Sequence, residues 1–214
     1  VPQATGEKYA GFGLTEPGVG SDVANMASTA VRDGDDYILN GEKMWISLAG
    51  MADYFLVFAW TDLEKKRARD HSGISAFIVE SGWDGIETGD IHGKLGVRAG
   101  STGWIAMQNV AVPVENRIGD EGEGFKIAMQ VLDAGRVGIA SQAVGIAEAA
   151  LEASIAYARE REAFGQPIGQ FQMIQQKLAD MKCRVDASRL LVYQAALAKM
   201  AARETGARYS MEAS

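Results

Sequence analysis

The side chains best placed to do chemistry gather in one stretch, Gly11-Phe12-Gly13-Leu14-Thr15-Glu16-Pro17-Gly18-Val19-Gly20-Ser21-Asp22. The Thr15 and Ser21 hydroxyls flank the Glu16 carboxylate among small, turn-forming residues. Pro17 fixes one φ angle, while Gly18 and Gly20 permit positive φ and close backbone approach. Such a turn can aim backbone N–H groups and both hydroxyls at one ligand, and oriented amides favour anionic or carbonyl oxygens. The plainer reading is a tight surface turn between strands. Two known phosphate cradles are excluded. Val23 stands where the third glycine of G-x-G-x-x-G belongs, and no P-loop Gly-Lys-Ser/Thr follows.

Other reactive groups are sparse. The only two histidines, His71 and His92, lie far apart in loop-like settings, and with a single cysteine they make a poor metal set. Cys183 has no partner for an intramolecular disulfide, which suits a reducing compartment, and its helical setting reads as a buried or inert thiol. A net charge of −7 argues against a nucleic-acid surface. No run reads as long or apolar enough to span a bilayer. The N-terminal residues Val1 to Gly6 have neither the basic nor the apolar region of an export signal, and with no initiator methionine the chain reads as a fragment.

The elements that must position these groups change period once. From about residue 10 to 118 the pattern is β. Asn40-Gly41 lies between two β-prone runs, 37–39 and 42–46, and predicts a hairpin turn. Tyr54 to Trp60 is almost wholly apolar, as for a strand buried on both sides. Gly73 to Glu80 and Ser101 to Val112 predict further strands, with a charged, solvated loop at Asp62 to Asp70. Short strands with turns between them predict a small antiparallel barrel or sandwich over residues 1–118.

Residues 119–214 predict helices. After Gly119 to Gly124, a first helix of roughly 35–40 residues would be about 55 Å long at 1.5 Å per residue. Phe125, Met129, Leu132, Ile139, Ala143, Ile146, Ala150 and Ser154 form its apolar stripe. Acidic residues cluster at its start and Arg159 and Arg161 near its end, as the helix dipole favours. Gly165-Gln166-Pro167-Ile168-Gly169 turns the chain into a second helix, Phe171 to Thr205, with Ile174, Leu178, Met181, Val185 and Val192 on one face and Gly206 as a C-cap, after which Arg208 opens a further segment. The fold class is α+β: a β domain, then a long antiparallel helical hairpin from an incomplete four-helix-type bundle. Apolar residues spill beyond one stripe, so further helices or another subunit must cover them.

Four blocks in this order resemble the acyl-CoA dehydrogenase family of flavoenzymes, over essentially the whole chain. Phe12 to Asp22 looks like the family's first motif, and Asn40-Gly41-Glu42-Lys43-Met44-Trp45-Ile46-Ser47 is similar to the next. Leu95 to Thr102 is a third, weaker block, and Arg161-Glu162-Ala163-Phe164-Gly165-Gln166-Pro167-Ile168 with Phe171-Gln172 a fourth. The resemblance implies FAD as cofactor, clasped by the β domain and the following helices. It implies that the Leu14 and Thr15 backbone and the Thr15 hydroxyl bind the pyrimidine edge of the flavin, with Phe12 and Gly20 in the same set. Ser21 would sit near the pyrophosphate or the CoA of the substrate. Trp45 would pack on the flavin, with Ile46 beside it, and Ser47 would approach N5. Arg161, Phe164 and Gln172 would reach the FAD of a neighbouring subunit, which implies a homodimer or homotetramer.

Each role has a plainer counterpart. Trp45 could be core, Arg161 could serve only the helix dipole, and Gln172 could be a cap or interface residue. The implied reaction oxidises an acyl-CoA thioester to the 2,3-enoyl-CoA: a carboxylate takes the α-proton while the β-hydrogen leaves as hydride. In relatives the base is a glutamate on a late loop or, less often, on the first long helix. That helical position is Gly135 here, so the base is expected beyond Ser214. Glu16 accompanies the turn and is not the base. Asp133 and Arg136 read as substrate-side residues, although Arg136 could equally be a surface ion-pair partner.

An acyl-CoA oxidase, an enoyl-CoA reductase and a non-catalytic helical scaffold are the alternatives. Electron-transfer flavoprotein is the acceptor the resemblance implies. No nucleic-acid or membrane partner is expected, and the location is cytoplasmic, or the mitochondrial matrix in a eukaryote. These 214 residues alone are predicted to bind FAD poorly and to lack dehydrogenase activity; tight flavin binding with turnover in a titration of the isolated chain would overturn that.

Overall fold

The computed structural model describes residues 2–205. In chain order its elements are α1 (Pro2–Thr5), β1 (Ala10–Gly13), β2 (Thr29–Asp33), β3 (Asp36–Ser47), β4 (Tyr54–Trp60), α2 (Leu63–Ala68), β5 (Ile74–Glu80), β6 (Ile86–Asp90), β7 (Thr102–Pro113), β8 (Arg117–Ile118), α3 (Gly124–Glu160), β9 (Glu162–Ala163), β10 (Gln166–Pro167) and α4 (Gln172–Thr205). Contacts divide the chain into two compact units, Val1–Met129 and Gln130–Ser214.

The α+β class stands, with strands first and long helices after. The sheet, however, is mixed and does not close into a barrel, which corrects the antiparallel expectation. Its order is β6-β7-β3-β2-β4-β5-β8, with β1 also on β4. β5 takes one whole edge of β4, from Tyr54↔Glu80 to Trp60↔Ile74. The other edge is shared, in parallel, by β1 from Ala10↔Tyr54 to Gly13↔Val57 and by β2 at Thr29↔Trp60. Gly13 and Thr29 therefore stand opposite residues three apart on β4, about 10 Å at 3.3 Å per residue. Residues 14–28 leave and rejoin the sheet through that gap, as a compact surface loop whose ends are held close. Below it lies the core, in which Tyr37, Leu39, Phe55, Val57, Phe77 and Ile105 are fully buried.

Asn40-Gly41 does not turn the chain. β3 runs unbroken through it, and the β2–β3 hairpin turns at Gly34-Asp35, closing the Asp33↔Asp36 pair with Gly34 at φ 61°. Asn40 instead faces an extra residue on β7: its Oδ1 accepts the Asn109 N–H at 2.9 Å where the register shifts. Gly41, at φ 146°, makes room for a neighbour, since a Cβ there would lie 2.3 Å from Ser28 Oγ. Asp62 to Asp70 is not a plain loop either. Asp62 Oδ1 accepts the Glu64 and Lys65 N–H groups at 2.9 and 3.0 Å and so caps α2.

In the second unit α3 and α4 run antiparallel. Lys199 Nζ reaches the Ala134 carbonyl at 3.4 Å near one end, Arg189 pairs with Glu148 mid-way, and Gly169 lies against Ala158 at the turn. α3 has 37 residues, as expected, but its first turn holds no acidic residue, because Asp120, Glu121 and Glu123 all precede it. The α4 face is as expected, with Val185 and Val192 buried and Ile174, Leu178 and Met181 half-buried. The α3 face is corrected: Leu151 and Ala158 are buried, while Ile139 and Ile146 are exposed. α3 carries apolar residues on more than one side, and α4 covers one of them. Ala, Val and Ile also make α3 long and apolar enough, by length and mean hydropathy, to cross a membrane. This departs from the expectation that no run could span a bilayer, because isolated Glu residues break the apolar run without much lowering its mean hydropathy. Cys183 is exposed, not buried. Gly206 and Arg208 lie outside the described residues.

Replacing Gly41 by alanine combines backbone strain of about 1–3 kcal/mol with a clash against Ser28. The expected loss is about 2–4 kcal/mol of stability, read from the urea midpoint; an unchanged midpoint would show that Ser28 moves aside freely.

Candidate active site

Loop 14–28 is braced from within and from below. Glu16 and Val19 exchange backbone hydrogen bonds at 3.0 and 3.1 Å around Pro17-Gly18. The Met44 N–H donates to Thr15 O at 2.9 Å and ties the loop to β3. Beneath it lies the Glu16–Lys43 ion pair, 2.9 Å between Nζ and Oε1, with side chains 5% and 0% exposed. Glu16 Oε1 also accepts from the Ser28 N–H at 3.0 Å and the Ser28 hydroxyl at 2.6 Å, and Oε2 accepts from the Ala27 N–H at 2.5 Å. One carboxylate thus joins both arms of the loop to β3.

Burial alone would push the Glu16 carboxyl up. The Lys43 ammonium and the Ser28 and Ala27 donors outweigh that and hold it below the ordinary 4.5. Burial draws the Lys43 ammonium down from its usual value, and Glu16 opposes the shift. Alternation could have flagged this pair: Tyr37 and Leu39 point inward on β3, and Lys43 falls on the same parity. Both carboxylate oxygens of Glu16 are committed to the brace.

Where β3 passes the loop it changes parity. Met44 faces Trp104 and Ile46 faces Gly103, so Trp45 is an extra residue in the ladder, at φ 63°. A left-handed backbone costs a non-glycine residue about 1–2 kcal/mol. The bulge returns Ile46 to the core, where its side chain is buried, and leaves Trp45 60% exposed. A core role for Trp45 is therefore out. Ile46, buried, offers no side chain to the surface.

Beside the bulge, the Thr15 hydroxyl makes no hydrogen bond among the described residues, nor do the exposed Ser21 and Ser47 hydroxyls. Phe12 is half-buried, edge-on to Phe58 at 5.3 Å. Gly20 is exposed, and a Cβ there would meet nothing within 4 Å. An exposed indole held at positive φ, next to unengaged donors on a braced loop, fits a flat ring with polar edges.

The second unit groups the other candidates. Arg161 follows the last residue of α3; its N–H donates to Tyr157 O at 2.8 Å, and its exposed guanidinium makes no ion pair among the described residues. Phe164 is 97% exposed at φ 51°, at the tip of the β9–β10 turn, with Phe171 edge-on at 6.2 Å. Gln172 opens α4 and is exposed. These three share one end of the helical hairpin. On α3, Asp133 and Arg136 pair with each other at 3.4 Å, and a Cβ at Gly135 between them would meet nothing within 4 Å.

A mixed sheet carrying such a loop, followed by a pair of long helices, is the domain pairing of one flavoenzyme class. Residues 11–110 match the acyl-CoA dehydrogenase middle domain and residues 122–213 the acyl-CoA dehydrogenase C-terminal domain. The chain belongs to the acyl-CoA dehydrogenase family, whose members are FAD-dependent. It is 46% identical over 213 residues to the short-chain-specific acyl-CoA dehydrogenase of Clostridium acetobutylicum, covering 100% of this chain and 54% of that protein. It is also 46% identical to the caffeyl-CoA reductase-Etf complex subunit CarC of Acetobacterium woodii, covering 91% of this chain and 50% of that one. The solved butyryl-CoA dehydrogenase of Megasphaera elsdenii superposes with a TM-score of 0.89 at 43% identity, over 99% of this chain and 54% of that one. The chain spans about half the length of the curated relatives it matches.

Removing Lys43 tests the brace. In the native protein the Glu16 carboxyl lies below its unfolded value, so its stabilisation is fully present above pH 4.5 and lost as pH falls through the folded value. In Lys43→Met the carboxylate keeps its Ser28 and Ala27 donors but is buried without its cation, and its folded value rises. That variant is expected to lose about 3–5 kcal/mol near neutrality, and its deficit relative to the native protein shrinks as pH falls and the carboxylate takes up a proton. Urea unfolding of both proteins from about pH 2.5 to 7 reads the deficit, and a deficit that stays constant over that range would refute the pairing.

Proposed function

We propose that these residues are the flavin-edge domain and first helices of an FAD-dependent acyl-CoA dehydrogenase that oxidises a short-chain acyl-CoA to the 2,3-enoyl-CoA. The observation that carries this is Trp45, held exposed at positive φ beside the unengaged Thr15 hydroxyl. The relatives named short-chain-specific support the chain length. When bound, FAD supplies the two-electron acceptor for the β-hydrogen.

The residues of this chain hold and shape that site. The Leu14–Thr15 backbone and the Thr15 hydroxyl donate to the polar edge of the ring, where negative charge collects on electron uptake. Trp45 covers a ring face and excludes water, the Ile46 backbone lies beside it, and Ser47 offers a hydroxyl at the reacting side. Phe12 and Gly20 shape the loop, and Ser21 faces the pyrophosphate or the CoA. Arg161, Phe164 and Gln172 serve the FAD of a neighbouring subunit, so the working enzyme is a homodimer or homotetramer. Asp133 and Arg136 act on the substrate side as a pre-formed pair. Glycine at 135 takes no proton, and the α-proton leaves to a carboxylate outside these 214 residues.

The subunit named for an Etf complex supports electron-transfer flavoprotein as the acceptor. Its name also makes the reverse direction, enoyl-CoA reduction, the second reading. Anaerobic bleaching of the flavin by butyryl-CoA in the full-length protein tests the first reading, and no bleaching with any saturated acyl-CoA would defeat it. In the same protein Thr15→Val and Trp45→Ala are each expected to weaken FAD binding about tenfold or more, for roughly 1.4 kcal/mol or more lost, with little change in melting temperature of the apoprotein. Unchanged affinity in both would remove the loop and bulge from the cofactor site.

A further inference from the structure

The Glu16–Lys43 pair does more than hold the loop down. Lys43 Nζ points at two oxygen acceptors, Glu16 Oε1 at 2.9 Å and Leu14 O at 3.4 Å, with Met26 Sδ at 4.0 Å. Leu14 O belongs to the peptide that ends in the Thr15 N–H. Among the described residues that N–H donates to no other group, while the next carbonyl, Thr15 O, is held by the Met44 N–H at 2.9 Å. The carbonyl of this peptide is therefore held from below by a buried cation and that of the next peptide by a strand amide, while the Thr15 N–H between them is left free. Lys43 is 0% exposed, so water does not screen its field. A cation against the carbonyl polarises the amide and strengthens its N–H as a donor.

We propose that Lys43, held by Glu16, is a positioning residue that strengthens the Thr15 amide toward the electron-accepting ring and so raises the ring's affinity for electrons. This rests on the reading of residues 11–22 as the flavin edge. Lys43 touches neither cofactor nor substrate and acts through the Leu14–Thr15 peptide. Glu16 sets where the ammonium points, and the Ala27 and Ser28 donors in turn set Glu16. A merely structural brace would need only a buried pair of any kind, whereas this one places its positive end against a peptide whose N–H is free among the described residues.

The test uses full-length protein and the double variant Lys43→Met/Glu16→Gln. It removes both charges together and leaves no buried carboxylate, so folding survives; the introduced amide oxygen can still accept from the Ser28 N–H and hydroxyl, while its NH2 group faces the Ala27 N–H. The midpoint potential of bound FAD is measured by dye-linked reduction in wild type and variant, with apoprotein melting as the fold control. The expected result is a well-folded variant that binds FAD with a potential lowered by about 30 mV, a tenfold change in a two-electron equilibrium. A folded, FAD-loaded variant with an unchanged potential overturns the inference and leaves the pair as a brace. Wild-type protein that binds no FAD fails the flavin-edge reading itself, and the inference with it.

Discussion

The buried contact between Glu16 and Lys43 is the constraint on which the first unit's site depends. Taking two charges out of water costs several kcal/mol each, and the fold offsets that with donors from three residues on one carboxylate. Ala27, Ser28 and Lys43 all converge on Glu16. The gain is geometric. Loop 14–28 springs from a short gap on the β4 edge, and without an internal anchor its glycines would sample many conformations.

β3 is the second partner in that constraint, and it does two jobs through two irregularities. At Gly41 the missing Cβ lets Ser28 reach Glu16. Four residues on, the bulge turns Trp45 outward while Lys43 and Ile46, on either side of it, stay buried. The anchor and the exposed indole are thus made by residues two apart on one strand, and the N–H of Met44 between them holds Thr15 O. Strain at Trp45 persists because the ladder on both sides of it is complete.

The helical unit follows a different logic. α3 and α4 are held by an ion pair near mid-length and a tight turn at one end, yet both leave apolar side chains in solvent, Ile139, Ile146, Leu190 and Leu197 among them. Such helices belong in a larger assembly of helices. Their turn holds Phe164, almost wholly exposed in a left-handed backbone that suits asparagine or glycine better.

By itself the sequence determined the order of the elements, the family, the extent of both long helices and the buried strand β4. These follow from local period and from a consecutive motif, which need no knowledge of distant partners. The parallel placement of β1 and β2, the true hairpin turn at Gly34-Asp35 and the use of Asn40-Gly41 against β7 were decided only in three dimensions, because strand pairing is non-local. The outward turn of Trp45 was decided there too: one extra residue in a ladder flips parity, and only the partner strand reveals it. The motif marked Thr15 and Trp45, but the reason they stay in place, a carboxylate and an ammonium 27 positions apart, exists only once the chain is folded.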